Sequence, residues 1–149
     1  MNVLTAEDFL SATDRSRVQA AIAEAEGRTG GELRVHLEDH IEDDVLDHAA
    51  FIFEELGMHR TRERNGVLIY LSVADRKVAV LGDVGINARV PAGFWNDVLS
   101  VLKLHLAAGR QADGLCEAAH MVGEKLRAHF PHHADDQDEL SNDISFGRR

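Results

Sequence analysis

The sequence predicts an α/β fold, a three-layer α/β/α sandwich in which a small mixed sheet is flanked by helices. Three observations carry that expectation. Segments with apolar residues at helical spacing alternate with short strands, in the order helix–strand–helix–strand–strand–helix–helix. The run Gly66-Val67-Leu68-Ile69-Tyr70-Leu71-Ser72-Val73 is almost unbroken in its apolarity, as a central strand covered on both faces requires. At 149 residues the chain can bury one hydrophobic core without disulfides or a structural metal.

Each element follows in turn. Thr5-Ala6-Glu7-Asp8 can cap a short opening turn, and Thr13 can cap the first long helix. In that helix Val18, Ala21, Ile22 and Ala25 fall on one face, and Gly27 is placed to stop it in the left-handed conformation that costs glycine little. From Glu32 to Glu38 the pattern alternates: Leu33, Val35 and Leu37 point one way, Arg34 and His36 the other. The spacing then predicts a helix over 44–56, with Val45, Ala49, Ile52, Phe53 and Leu56 as its stripe and Gly57 as its end. After the strand at 66–73, Ala74-Asp75-Arg76-Lys77 reads as a turn and Val78-Ala79-Val80-Leu81 as its antiparallel partner. Pro91 can open a third helix carrying Trp95, Val98, Leu99, Leu102 and Leu106, closed by Gly109. A fourth, from about Gln111 to Phe130, aligns Leu115, Ala119, Val122 and Leu126, and Pro131 blocks its extension. The division is therefore a domain over 1–131 and an acidic, polar tail over 132–149 with little core of its own.

Composition excludes several classes. The 16 basic and 26 acidic residues leave a formal charge of −10, which opposes nonspecific binding to nucleic acid or anionic lipid. No apolar run approaches the roughly 20 residues that span a bilayer, and the amino terminus lacks a basic, apolar signal pattern. The single cysteine, Cys116, forbids an internal disulfide and reads as a buried thiol, so a cytoplasmic location is expected. The nine histidines include His36 and His40, and His129, His132 and His133, but none sits in a zinc-binding pattern; surface positions are expected for them. Tyr70 and Trp95 read as core residues.

A right-handed crossover makes the first two strands parallel. The starts of those strands and the end of the third then share one edge of the sheet. That edge collects Thr29-Gly30-Gly31-Glu32, Arg64-Asn65-Gly66 and Gly82-Asp83-Val84-Gly85, whereas the loop 38–44 and Asp75 fall on the opposite edge.

These motifs, in this order, resemble the TPM domain, a family named for thylakoid and membrane proteins that carry it. The resemblance rests on Glu26-x-x-Thr29-Gly30-Gly31-Glu32, Arg64-Asn65-Gly66-Val67-Leu68-Ile69, Asp75-Arg76-Lys77, Gly82-Asp83-x-Gly85-Ile86 and Phe94-Trp95, and covers roughly residues 5 to 130. Most members are anchored by a signal or membrane helix, which this sequence does not display, so their membrane roles are not expected to carry over. The resemblance implies calcium binding and, from a photosynthetic branch, acid-phosphatase activity.

Calcium takes six to eight oxygen ligands. The shared edge offers Glu32, Asp83, the Asn65 amide and backbone near Gly82 and Gly85; Asp75 is a weaker candidate because it lies on the other edge. The competing reading pairs Glu32 and Asp83 with Arg64 or Arg89. Two further acidic clusters read as solvated surface: Glu38, Asp39, Glu42, Asp43, Asp44 and Asp47, of which Asp44 and Asp47 also favour the start of a helix, and Asp135, Asp136, Asp138 and Glu139. A phosphatase would use the same acids with Arg64 as phosphate clamp, but no Cys-x5-Arg or D-x-D-x-T/V motif is present. The leading expectation is a noncatalytic module that binds a divalent cation, calcium first, and presents a surface to a protein partner. The others are a metal-assisted phosphatase and a ligand-free interaction domain.

Overall fold

The computed structural model describes residues 5–27, 29–131 and 144–147. Its elements are α1 (Ala12–Glu26), β1 (Glu32–Glu38), α2 (Val45–Glu55), a 3-10 turn (Met58–Arg60), β2 (Gly66–Ser72), β3 (Lys77–Gly82), α3 (Val84–Asn87), α4 (Phe94–Ala107), α5 (Gln111–His129) and β4 (Ser145–Gly147). The strands form one sheet in the order β3-β2-β1-β4. β1 runs parallel to both β2 and β4, and β2 antiparallel to β3, as the hairpin reading expects.

Strand periodicity builds the layers. Val67, Ile69 and Leu71 join Leu33, Val35 and Leu37 in the main core, under α1, α4 and α5, while Leu68 and Tyr70 face the other way, into a smaller core with Ala49 of α2 and Met58. All seven residues of β2 are buried, which is why that segment is apolar throughout. The α5 stripe of Leu115, Ala119, Val122 and Leu126 is at most 1% exposed.

Local departures have local causes. Ser11, rather than Thr13, caps α1: its backbone is extended and its Oγ accepts the Asp14 N–H at 3.1 Å. Gly27 ends that helix in the right-handed region, with φ −64°. Pro91 does not open α4; it begins a turn closed by the Phe94 N–H on its carbonyl at 3.1 Å, and Gly93 at φ 88° admits the chain to the helix.

The tail departs most. Residues 132–143 lie outside the described residues, so the acidic cluster at 135–139 and the His132–His133 pair are not placed. Beyond them, Ile144 enters the main core and Ser145–Gly147 extends the sheet beside β1, a contribution that polar surroundings concealed in the sequence.

Candidate functional site

The strand starts meet as the topology requires. Glu32 is level with Gly66 and Val67 with Gly82, so Glu32, Asn65 and Asp83 lie along one edge. Backbone bonds tie the edge together: the Glu32 N–H donates to the Asn65 carbonyl at 3.4 Å, and the Asp83 N–H to that of Gly66 at 2.9 Å. Glu32, Asn65 and Asp83 are 2%, 1% and 6% exposed.

Asp83 is engaged by a cation of the chain itself. Arg64 Nε donates to Asp83 Oδ2 at 2.6 Å and Arg64 Nη2 to Oδ1 at 2.8 Å, a bidentate fork. Oδ1 also accepts the Val84 N–H at 2.8 Å, capping α3. The expected pairing of Asp83 with Arg64 is therefore present. The arginine side chain is 47% exposed while the acid is buried, and its left-handed backbone, φ 53°, sets it at the turn into β2. The bond with Asp83 raises the Arg64 guanidinium further above its ordinary range.

Asn65 is held by two bonds. Its N–H donates to Thr61 Oγ1 at 3.1 Å, and its Nδ2 to the Gly30 carbonyl at 3.2 Å. That leaves Oδ1 buried with no donor among the described residues. The glycines serve close packing. A Cβ at Gly82 would overlap Trp95, and one at Gly85 would overlap the Glu63 and Arg64 carbonyls, the latter of which accepts the Gly85 N–H at 2.8 Å. Neighbouring motif residues are structural as well: Glu26 Oε2 accepts the Leu33 N–H at 2.8 Å, and the Thr29 hydroxyl donates to the Leu126 carbonyl at 2.9 Å and contacts that of Phe130.

The opposite edge is built differently. Asp75 Oδ2 accepts from Ser72 Oγ at 2.6 Å and from the Ile41 N–H at 2.8 Å, and both its oxygens lie 3.0 Å from His40 Nδ1. The Ser72 bond, with help from Ile41 and His40, holds the Asp75 carboxyl below its ordinary range. Asp75 thus pins the hairpin to the loop after β1, far along the strands from Glu32 and Asp83. Nearby, Glu38 Oε1 sits 2.9 Å from His48 Nε2, and His48 Nδ1 lies 3.3 Å from Asp43. His36 bonds Ser145 through Nδ1 at 2.7 Å and stacks on Tyr70 with centroids 5.6 Å apart.

The family assignment follows from the whole-domain match. A family model of the TPM domain covers residues 3–125. The chain belongs to the TPM-domain family. Among solved structures it is similar to BA42 from Bizionia argentinensis, at 41% identity, with 95% of this chain and 97% of that one covered and a TM-score of 0.87. Two more distant likenesses concern the fold alone. The N-terminal domain of a P. gingivalis protein matches at 22% identity and a TM-score of 0.68, covering 89% of this chain and 99% of that one. The N-terminal domain of cg2496 from Corynebacterium glutamicum matches at 16% and 0.63, covering 83% and 84%. No curated protein matches.

Within this TPM domain three corrections stand. His36 and His48 are buried, at 4% and 3% exposure, not surface residues, because β1 lies beneath covered sheet and His48 falls within the α2 stripe. Glu38 is likewise buried rather than solvated, although Asp44 does cap α2 as expected, accepting from the Leu46 and Asp47 N–H groups. Cys116 is half-buried, and that burial raises its thiol above the ordinary range. Tyr70 is core and Trp95 packs at the core margin.

For a divalent cation the residues fit in part. Among the described residues no three His, Cys, Asp or Glu side chains converge in a ligand group. The start edge supplies oxygen donors of the kind calcium takes, including the undonated Asn65 Oδ1, but Asp83 would have to exchange Arg64 for the ion. No helix among the described residues is long and apolar enough to cross a membrane.

Proposed function

We propose that this TPM domain is a noncatalytic binding module whose strand-start edge takes a divalent cation, with calcium first, in exchange for the Arg64 side chain. The observation that carries the reading is the buried Asn65 Oδ1, on the same edge as Glu32 and Asp83, which meets no donor among the described residues. A buried acceptor left without a partner costs on the order of 1–3 kcal/mol, and a hard cation would satisfy it. Arg64 already shows that the position in front of Asp83 favours positive charge, and its exposed side chain can withdraw into water. Glu32 would then complete the carboxylate pair, with backbone near Gly82 and Gly85 completing the oxygen set. Val84, 61% exposed beside Asp83, would give a protein partner an apolar contact next to the ion. The reading is noncatalytic because neither a Cys-x5-Arg nor a D-x-D-x-T/V nucleophile motif accompanies these acids.

Titrating calcium while following backbone amide shifts tests this reading. Saturable shifts centred on Glu32, Asn65 and Asp83, absent in Asp83→Asn, are expected. Silence at millimolar calcium, or shifts confined to the Asp75 edge, would overturn it.

A further inference from the structure

A cleft of about 500 Å³ opens between the β2–β3 hairpin tip and the C-terminal half of α4, remote from the start edge. Phe9, Val78 and Leu106 are among its apolar walls, and Arg76, Lys77 and Lys103 line it as well. Its volume lies in the range of small-molecule sites, roughly 300–1,000 Å³.

The three cations are the informative feature. In a chain of net charge −10, basic side chains have abundant acids to pair with, as Arg17 does with Asp14 and Asp113 and Arg64 with Asp83. Arg76, Lys77 and Lys103 form no ion pair among the described residues, and all three are exposed. The acid next to two of them in sequence, Asp75, is drawn off by Ser72, Ile41 and His40. Arg76 is further set by a left-handed backbone, φ 54°, at the tip of the hairpin. Screening over roughly 8 Å makes these three nearby cations act on a ligand in the cleft more strongly than charges farther off.

We propose that this cleft binds a small amphiphilic carboxylate, its hydrocarbon chain against Phe9, Val78 and Leu106 and its head group among Arg76, Lys77 and Lys103. Charge complementarity fixes the sign of the ligand, and the apolar walls fix its body. The site is separate from the cation edge, and neither depends on the other.

Octanoate, below its micelle-forming concentration, is the probe, followed by amide shifts on the intact chain, with hexanoate, decanoate, acetate, octylamine and octanol as comparisons. Saturable shifts at Val78 and Leu106 are expected, tightening by roughly an order of magnitude for each two added methylenes. Acetate and octylamine should leave these residues unmoved, and octanol should bind at least tenfold more weakly than octanoate. Lys103→Glu, on the exposed face of α4, should weaken octanoate at least tenfold with an unchanged melting temperature; Lys77→Gln provides the same test should Lys103→Glu lose its fold. Equal binding of octylamine, insensitivity to both substitutions, or no shifts in the cleft would overturn the proposal.

Discussion

The two edges of the sheet employ their carboxylates in opposite ways. At the strand ends, Asp75 receives donors from three residues of two separate segments, and Glu38 is buried against His48. These acids are fastened to groups that cannot leave without unpicking the fold. At the strand starts, Asp83 is bound by a side chain that is nearly half exposed, and the neighbouring Asn65 keeps an undonated oxygen. An acid whose partner is replaceable is available for a ligand; an acid whose partners are backbone and buried imidazole is not. Sequence alone shows acids on both edges. Their partners separate them.

Four substitutions sharpen or break that contrast. The largest effect is expected at Glu38. Glu38→Ala leaves His48 buried without its carboxylate and should cost about 3 kcal/mol in denaturant unfolding; a loss below about 1 kcal/mol would place Glu38 among the replaceable acids. Asp75→Ala comes next, at about 2 kcal/mol, because the Ile41 N–H and Ser72 hydroxyl lose their acceptor. Arg64→Ala should lower the melting temperature least of these three, because the guanidinium is half exposed and water can replace it at Asp83, leaving the fold intact for ligand measurements.

The smallest effect is one of slope. Burial holds the His36 imidazole below its ordinary pKa of 6.5, with Glu38 opposing the shift. As pH falls the unfolded chain therefore takes up this proton before the folded one does. The stability tied to neutral His36 is complete above the unfolded value and is lost as pH drops through and below about 6.5. His36→Gln should accordingly flatten the fall of melting temperature between about pH 7 and pH 5. An unchanged slope would assign the pH response of the strand-end edge to other groups.

Much of this was legible in the sequence, for identifiable reasons. The uninterrupted apolar run of β2 announced two covered faces, and the crossover rule then set β1 parallel to it, which brought Glu32, Asn65 and Asp83 to one edge. The buried His36–Glu38–His48 group was also implicit: residues 32, 34, 36 and 38 share the second face of β1, and His48 sits between Val45 and Ile52 on the α2 stripe. No metal-ligand spacing marks this group, because burial against tyrosine and carboxylate leaves no signature in sequence. β4 was not legible. A three-residue strand after a polar stretch carries too little periodicity, and its need for Gly147, where a Cβ would overlap the Glu38 carboxylate, appears only in three dimensions. The bidentate grip of Arg64 on Asp83 was open as one of two partners and was settled by the turn that places the guanidinium over β3's end.

The exchange of Arg64 for a cation is most directly tested by calorimetric calcium titration of the parent chain beside Arg64→Ala. Removing the competing guanidinium should tighten calcium binding by roughly fivefold, while Asp83→Asn abolishes it. Equal affinity in the parent and in Arg64→Ala, or no binding by either, would contradict the account.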